Sequence, residues 1–283
     1  MSEGGKAQRE LRPRVVGIII ARNEEQNIAD VIRSLQQQTM PLTAIIVVND
    51  GSTDKTGELA RAMGCSVVDL PYHEESYAGR PELAERVNVG LSLAEKYDPD
   101  YVLVMGADNI LPSDYAEKII ERMEKDPKIV IASGHIEGEP YSELIPRGSG
   151  RIIQVSWLRK EFGGLRIPAY WGWEAYLVFR ALKSGYKTKR YRDITSRVKR
   201  RTGLGKAEYW GKGMYALGYD WRYALGRIFL TFLKSPPAGF RMFWGWFRHE
   251  GVERTDVADW VKEFQRREFW KRVWEVLARR GRK

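Results

Sequence analysis

The sequence contains 283 residues, of which 47 are Lys or Arg and 37 are Asp or Glu, and its formal net charge is +10. The charge is uneven, because residues 1–179 hold 20 basic and 27 acidic side chains, whereas residues 180–283 hold 27 basic and 10 acidic ones together with seven of the ten tryptophans. A single cysteine excludes an intrachain disulfide, no apolar run approaches the roughly 18 residues of a membrane-spanning helix, and the polar start does not resemble a secretory signal.

Residues 13–133 alternate between strand-like and helix-like patterns. The runs Val15–Ile20 and Ala44–Val48 are β-branched without period-2 alternation, as in strands buried on both faces of a parallel sheet. Between them, Glu24–Gln38 carries apolar side chains at helical spacing, which predicts a β-α-β unit. The same reasoning predicts helices at Thr56–Met63, Pro81–Lys96 and Tyr115–Lys125, and strands at Ser66–Leu70, Tyr101–Met105 and Ile129–Ser133. The pattern predicts an α/β, doubly wound, mostly parallel sheet that binds its ligand at the carboxyl ends of the strands.

The remainder of the chain is less regular. Residues 134–170 are predicted as loops with one short element near Ile152–Trp157, and Trp173–Ser184 is predicted to be helical. Further helices are predicted at Lys206–Leu217 and Trp221–Leu233, followed by a break at Ser235–Gly239. A last helix is predicted from Thr255, with the apolar stripe Val257, Trp260, Val261, Phe264, Trp270, Val273, Trp274 and Leu277. We therefore divide the chain into an α/β domain, residues 13–193, and a helical, basic, Trp-rich extension, residues 194–283.

Acidic side chains stand at three places where a ligand is expected. Asp50 follows the second strand in Asn-Asp-Gly-Ser-Thr-Asp, Asp108 follows a later strand in Met-Gly-Ala-Asp-Asn, and Glu174 begins a helix. Carboxylates at one edge of a parallel sheet can bind a ligand or, with substrate phosphates, a hard cation such as Mg²⁺. Each segment also has an ordinary structural interpretation: a β-α turn capped by Ser52 or Thr53, a plain turn, and an acid favoured by the helix dipole.

The order of these segments resembles the family 2 glycosyltransferases with the GT-A fold. Ile19-Ile-Ala-Arg-Asn-Glu-Glu25, Asn49-Asp-Gly-Ser-Thr-Asp54, Ala107-Asp108 and Trp173-Glu174 follow one another as the family's motifs do, and the resemblance covers roughly residues 13–192. It implies that a nucleotide sugar is bound by Ala21, Asn23, Glu24, Asp50, Asp54, Arg80, Asn88, Ala107, Asp108 and Trp173. The chain departs from the family pattern where Val87 separates Arg86 from Asn88, and where Gly106 replaces the first Asp of the metal motif.

The resemblance also implies a reaction. Glu174 stands at the position of the family's catalytic base, where the usual residue is Asp, and would take a proton from an acceptor hydroxyl during an inverting displacement. The implied donor is a nucleotide-diphosphate sugar, UDP- or GDP-linked, and the implied cofactor is Mg²⁺ or Mn²⁺ held by Asp108. There are two interpretations of the basic residues Arg197, Lys199, Arg200 and Arg201. They bind the diphosphate or an anionic acceptor, or they are a run of charges exposed to solvent.

The basic extension has two interpretations. Arg222–Phe247 mixes basic and aromatic residues, and with the last helix it resembles segments that lie in the headgroup plane of an anionic membrane. Alternatively, its apolar stripe packs on the α/β domain. Nucleic acid is not expected as a partner, because no nucleic-acid motif accompanies the charge. We expect a cytoplasmic protein, peripheral on the inner face of the cell membrane, whose acceptor is a glycan or is lipid-linked.

Three other functions stay open at this point. A polyprenyl-phosphate acceptor is already ionised and would need no base. A nucleotidyltransferase would need a Gly-rich basic loop after the first strand, which Ala21-Arg-Asn-Glu24 does not supply. A non-catalytic nucleotide-binding scaffold protein is compatible with the missing first Asp of the metal motif.

Overall fold

The computed structural model describes residues 12–199 and 203–268, which build a mixed, mostly parallel sheet flanked by helices. The strands are β1 (Val15–Ala21), β2 (Ala44–Asp50), β3 (Ser66–Leu70), β4 (Tyr101–Gly106), β5 (Asn109–Ile110), β6 (Ile129–Ile136), β7 (Arg151–Gln154) and β8 (Lys187–Val198). The helices are α1 (Ile28–Gln36), α2 (Thr56–Ala62), α3 (Pro81–Ala94), α4 (Tyr115–Lys125), α5 (Val155–Phe162), α6 (Trp173–Lys183), α7 (Ala207–Ala216), α8 (Trp221–Lys234) and α9 (Pro236–Phe247). Residues 258–268 are also helical, and we call them the last helix.

The sheet order is β3-β2-β1-β4-β7-β6-β8-β5. Strands β3, β2, β1 and β4 are parallel, with Ile18 opposite both Ile46 and Val104, so their carboxyl ends lie along one edge. Strand β7 enters antiparallel between β4 and β6, whereas β6 and β8 are parallel. The predicted α/β class and the mostly parallel sheet are confirmed.

Both faces of the central strands are buried. Along β1, Val16 and Ile18 belong to one apolar cluster, with α3, α5 and α6, whereas Val15 and Ile19 belong to the other, with α1 and α4. This two-sided burial explains why the strand sequences lack polar alternation. Helix α3 approaches so closely that a Cβ on Gly90 would lie 2.4 Å from Ile18 Cγ2, which only glycine avoids.

The helices and strands predicted before residue 134 are confirmed to within a few residues, but three later elements differ. The one short element predicted near Ile152–Trp157 is two elements, β7 and α5. Strand β8 extends to Val198, so the predicted domain boundary at residue 193 falls inside a strand of the sheet. The predicted break at Ser235–Gly239 contains the first turn of α9, because proline is accepted at the start of a helix, where its missing N–H costs nothing.

The last helix packs on the α/β domain. Val257 and Val261 are fully buried in the cluster that includes α6, and Trp260 and Phe264 pack against it. Of the two interpretations of this stripe, packing on the α/β domain therefore holds for these residues, because burial in the protein already removes them from water. The predicted stripe positions from Trp270 onward lie outside the described residues.

Helices α7, α8 and α9 enclose a small apolar cluster of their own. Its buried members are Ala207, Met214, Ala224, Ile228, Ala238 and Met242. Within residues 12–199 and 203–268, no helix combines the length and apolar character needed to cross a bilayer.

Candidate active site

A cleft of about 670 Å³ opens at the carboxyl ends of β1, β2 and β4. Its other walls are the loop before α3, the loop before β7 and the first turn of α6. Seven of the residues expected at the site line it, namely Asn23, Glu24, Asp50, Ala107, Asp108, Trp173 and Glu174. The fold thus gathers motifs that are up to 151 positions apart in sequence, because parallel strands end at one edge.

Asp50 is held at the end of β2 by Arg86, which the sequence named only as part of a family motif, and by His73, which the sequence did not indicate. Arg86 Nε donates a hydrogen bond of 3.0 Å to Asp50 Oδ1, and His73 Nε2 lies 3.1 Å from the same oxygen. The His73 ring stacks on Tyr77 at 3.9 Å between centroids, and the Arg86 guanidinium lies 4.5 Å from the Tyr77 centroid. Asp50 is only 4% exposed, so these contacts fix the direction of its carboxylate.

Arg22 fastens the loop that carries His73 and Tyr77. Its guanidinium donates hydrogen bonds to the backbone carbonyl oxygens of His73, Glu74 and Glu75. Arg22 also lines the cleft, directly after β1. Its place in the Ala-Arg-Asn-Glu segment was the available signal for this residue, but nothing in the sequence indicated the loop that it binds.

The loops after β1 and β2 are tied to each other. Asn23 has a left-handed φ of 52°, and its Oδ1 accepts a hydrogen bond of 2.8 Å from the Thr53 backbone. Asp54 accepts hydrogen bonds of 3.0 Å from the backbone N–H groups of Glu25 and Thr56. Burial raises the pKa of Asp54, but the hydrogen bonds from Thr56 and Glu25 outweigh it and hold that pKa below its usual value. Asp54 therefore joins the two loops rather than lining the cleft.

Replacing Asp54 with asparagine is expected to lower the free energy of unfolding at pH 7 by about 1 kcal/mol, because charged acceptors make the stronger hydrogen bonds. A carboxylate whose folded pKa is lowered stabilises the protein above its ordinary pKa, and this contribution disappears as the pH falls through the folded value. The difference between the two proteins should therefore narrow below about pH 4. Urea unfolding at several pH values measures it. The exposed Asp259, changed to asparagine, is the matched control, and an equal loss there would contradict the assignment.

Asp108 occupies the edge of the cleft beyond β4. The Lys199 backbone N–H donates to the Asp108 carbonyl oxygen at 2.8 Å, and Ser149 Oγ accepts a hydrogen bond of 3.1 Å from the Gly106 backbone. A Cβ on Gly106 would lie 3.3 Å from Asp108 Oδ1, so the position of the missing family Asp adjoins the carboxylate that is present. No cluster of three or more His, Cys, Asp or Glu side chains suited to a metal occurs in the described part of the chain. One carboxylate nevertheless fits Mg²⁺ or Mn²⁺ that takes its other ligands from substrate phosphates and water.

Glu174 lies in the first turn of α6, with its carboxylate against the loop before β7. A Cβ on Gly148 would lie 1.9 Å from Glu174 Oε1, so the absence of a side chain at Gly148 makes room for the carboxylate. The buried Arg151 donates a hydrogen bond of 2.9 Å to the Glu174 carbonyl oxygen, and burial lowers the pKa of Arg151 to about 10 against the opposing charge of Glu174. The preceding Trp173 is 5% exposed and contributes chiefly to the core.

Several expected site residues are used elsewhere. Asn88 exchanges two hydrogen bonds of 2.8 Å with the Ile167 backbone, and Arg80 pairs with Glu75 and Glu82 beside the start of α3. Neither Asn88 nor Arg80 lines the cleft, and both side chains bond other parts of the protein instead. Ala21 is 1% exposed inside the sheet.

The basic residues at the end of β8 and directly after it have different surroundings. Arg197 is exposed and pairs with Glu137 at 2.9 Å, and Lys199 Nζ pairs with Asp30 at 2.6 Å. Arg200 and Arg201 lie outside the described residues. Lys206, which the sequence did not single out, lines the cleft just before α7.

Comparisons with known proteins agree with this geometry. A family model described as glycosyl transferase family 2 matches residues 18–167, more than half of the chain. A 4,4'-diaponeurosporenoate glycosyltransferase of Staphylococcus aureus is 51% identical over 53 residues, which are 19% of this chain and 14% of that protein. The chain thus aligns with only a small part of the curated relatives that it matches.

Solved structures share the fold at low sequence identity. The mannosyltransferase PcManGT from Pyrobaculum calidifontis, solved with GDP-Man and Mn²⁺, is 17% identical with a TM-score of 0.59, over 93% of this chain and 83% of that one. S. aureus TarS 1–349, solved with UDP, is 18% identical with a TM-score of 0.51, over 71% and 63% of the two chains. Glucosyl-3-phosphoglycerate synthase from Mycobacterium tuberculosis, solved with Mn²⁺, UDP and phosphoglyceric acid, is 17% identical with a TM-score of 0.50, over 67% and 72%. The family model leads to one conclusion, with which the shared fold agrees: the chain belongs to glycosyl transferase family 2.

Proposed function

We propose that this glycosyltransferase moves a sugar from a nucleotide-diphosphate sugar to an acceptor hydroxyl, with inversion at the anomeric carbon and with the help of a divalent cation. The observation that carries the proposal is the joint placement of Asp50, Asp108 and Glu174 on the walls of one cleft. The three carboxylates come from β2, β4 and α6, and each has a different setting. Such a separation of roles suits a donor with a base, a diphosphate and a sugar that must be held at once.

The nucleotide end of the cleft is assigned to Asp50. Arg86 and His73 contact its Oδ1, so we expect a base N–H to approach Oδ2. Tyr77 lines the same part of the cleft, and its ring can stack on a base. Uracil and guanine each have an N–H group that can donate a hydrogen bond to a carboxylate. UDP- and GDP-sugars are therefore the proposed donors.

The diphosphate end is assigned to Asp108 and Lys206. Asp108 would hold Mg²⁺ or Mn²⁺ together with phosphate oxygens, and the bound cation supplies neutralisation of the charge that develops on the leaving diphosphate. Lys206 lines the same cleft and brings a positive charge to it. The structures of PcManGT with Mn²⁺ and of the mycobacterial synthase with Mn²⁺ support the use of such a cation here.

Glu174 is assigned as the base. Its carboxylate would accept the proton of the acceptor hydroxyl as the oxygen attacks the anomeric carbon, so no covalent enzyme intermediate is required. Arg151 holds the helix turn of Glu174 through its carbonyl oxygen, and Gly148 leaves room for the carboxylate beside the loop before β7. A phosphate acceptor such as a polyprenyl phosphate needs no base, and a carboxylate in this position therefore favours a hydroxyl on a glycan or a lipid-linked acceptor.

We also propose that the enzyme works at the inner face of the cell membrane, held peripherally by its basic C-terminal helices. The net positive charge of residues 180–283 supports this location, because anionic lipids attract clustered Lys and Arg.

A screen of nucleotide sugars by thermal stabilisation tests the donor assignment. A UDP- or GDP-sugar at about 100 times its Kd is expected to add about 2.7 kcal/mol to the folded state, and a clear rise in Tm follows. The rise should require Mn²⁺ or Mg²⁺ and should vanish with a chelator. The nucleosides uridine and guanosine, which lack the diphosphate, serve as controls. If no nucleotide sugar shifts the Tm in the presence of either cation, the proposed donor class is wrong.

A further inference from the structure

Helices α8 and α9 are joined at Ser235, pack against each other and present large apolar side chains to the outside. We call residues 221–248 the aromatic hairpin. Six of its apolar side chains are more than half exposed, namely Trp221, Phe229, Leu230, Leu233, Phe240 and Phe247. Isolated exposed apolar residues are ordinary, but a contiguous set on two neighbouring helices marks a contact surface.

The inner side of the aromatic hairpin consists mostly of small residues, beside which only Ile228 and Met242 are buried among the large ones described. Ala224, Ala238 and Gly239 are buried between the helices, and a Cβ on Gly239 would lie 2.6 Å from the Cα of Phe232. A hairpin built for water places its large apolar groups inside, whereas helices that meet lipid commonly pack through small residues and turn large ones outward. The aromatic hairpin follows the second arrangement.

The charge of the aromatic hairpin has one sign. Residues 221–249 contain no Asp or Glu and five basic residues, which are Arg222, Arg227, Lys234, Arg241 and Arg248. Two of them lie over neighbouring rings, Arg248 at 4.6 Å from Trp244 and Arg222 at 5.2 Å from Trp221. Long basic side chains next to interfacial aromatic rings suit an anionic headgroup layer above acyl chains.

We propose that the aromatic hairpin inserts its outward apolar side chains into the interfacial region of an anionic lipid bilayer. A second copy of the chain fits less well, because two surfaces with five positive charges each and no acidic partner would repel each other. Val257 and Val261, at the start of the last helix, do not insert into the bilayer, because both are buried against the α/β domain.

Helix α7 connects the aromatic hairpin to the cleft. On one side it meets α9, where a Cβ on Gly211 would lie 2.1 Å from the Met242 carbonyl oxygen. On the other it meets the start of α6, where a Cβ on Gly213 would lie 3.3 Å from the Gly172 Cα, two residues before Glu174. A ten-residue helix is about 15 Å long, so insertion would hold the cleft close to the headgroups. This consequence rests on the function proposed above, and it supplies the reason for a lipid-linked acceptor.

Flotation of the full chain with lipid vesicles tests the insertion. The chain is expected to float with vesicles of phosphatidylcholine and phosphatidylglycerol, and much less with phosphatidylcholine alone or at high salt. Phe240→Glu should weaken partitioning into the anionic vesicles by about tenfold or more. The matched control is Tyr72→Glu, since Tyr72 is 64% exposed and Phe240 is 65% exposed, and both changes add one negative charge. Tyr72→Glu should partition as the parent does, and an unchanged Tm for both variants shows that they fold.

The proposal is overturned if the parent chain does not float with anionic vesicles. It is overturned as well if Phe240→Glu and Tyr72→Glu partition into these vesicles to the same extent. It is also overturned if the parent chain is a dimer that Phe240→Glu separates while neither protein floats, because the hairpin would then be a contact between copies. Donor-induced thermal stabilisation is measured on the same samples. Flotation without any donor shift would support insertion of the hairpin and refute the proposed donor. A donor shift without flotation would refute the insertion and the proposed membrane location, and would leave the donor assignment unaffected.

Discussion

Replacing Glu174 with glutamine is expected to lower kcat by about 10³-fold, within the range that general bases contribute, while the affinity for the nucleotide sugar changes little. Glutamine has nearly the same size, so it fits the space beside Gly148, but its amide cannot accept the proton of the acceptor hydroxyl. The loss should therefore appear in transfer and not in donor-induced thermal stabilisation. Steady-state transfer assays with the donor found by the thermal screen measure both quantities.

Two further variants sharpen this experiment. Glu174→Asp keeps a carboxylate and shortens the side chain by one methylene, so it should retain more activity than Glu174→Gln. Glu121→Gln makes the same chemical change on the exposed side of α4 and should behave as the parent. If Glu174→Gln transfers sugar at the parent rate, Glu174 is not the base, and the phosphate-acceptor alternative becomes the better explanation.

Replacing Asp108 with asparagine is expected to lower kcat/KM by about 10³-fold or more, because charge stabilisation by a bound metal ion is worth several kcal/mol. Asp108 is the cleft carboxylate beyond β4, and the neighbouring Gly106 offers no second one. Donor binding to Asp108→Asn should therefore no longer depend on Mn²⁺ or Mg²⁺. Isothermal titration with the donor, with and without the cation, measures this effect apart from turnover.

The control for Asp108 is Asp114→Asn, at a carboxylate that forms an ion pair with Lys118. It should leave metal-dependent donor binding unchanged. Full metal dependence in Asp108→Asn would show that the cation is held elsewhere.

The central sheet followed from local patterns because burial on both faces demands apolar residues at every position of a strand. Strands β1 and β4, and β2 up to Val48, show this pattern plainly, whereas the edge strand β3 contains Ser66 and Asp69 and is only partly buried. Strand β7 contains only four residues, and its first residue is the buried Arg151, so it carries little of that signal. Strand β8 is mostly charged or polar and lies near the sheet margin, where one short strand, β5, covers only its end.

The candidate site followed from sequence to the extent that its residues stand directly after strands. Asp50 and Asp108 reach the cleft because the carboxyl ends of parallel strands share one edge. Asp54 and Asn88 were also expected there, but each is bound to backbone groups of the protein itself. A local motif shows which side chains can donate or accept hydrogen bonds, but it does not show which partner each of them bonds in the folded protein.

The sequence by itself determined the α/β class, the strand-end carboxylates and the charge contrast between residues 1–179, at −7, and residues 180–283, at +17, because these depend on composition and short-range period. Only the tertiary structure decided which long-range partners each group has. It brought His73 and Arg86 to Asp50 and placed Gly148 against Glu174. It also buried the stripe of the last helix while leaving the aromatic hairpin outside. An amphipathic pattern indicates that one face of a helix is removed from water. Only the packing of distant elements decides which surface covers that face.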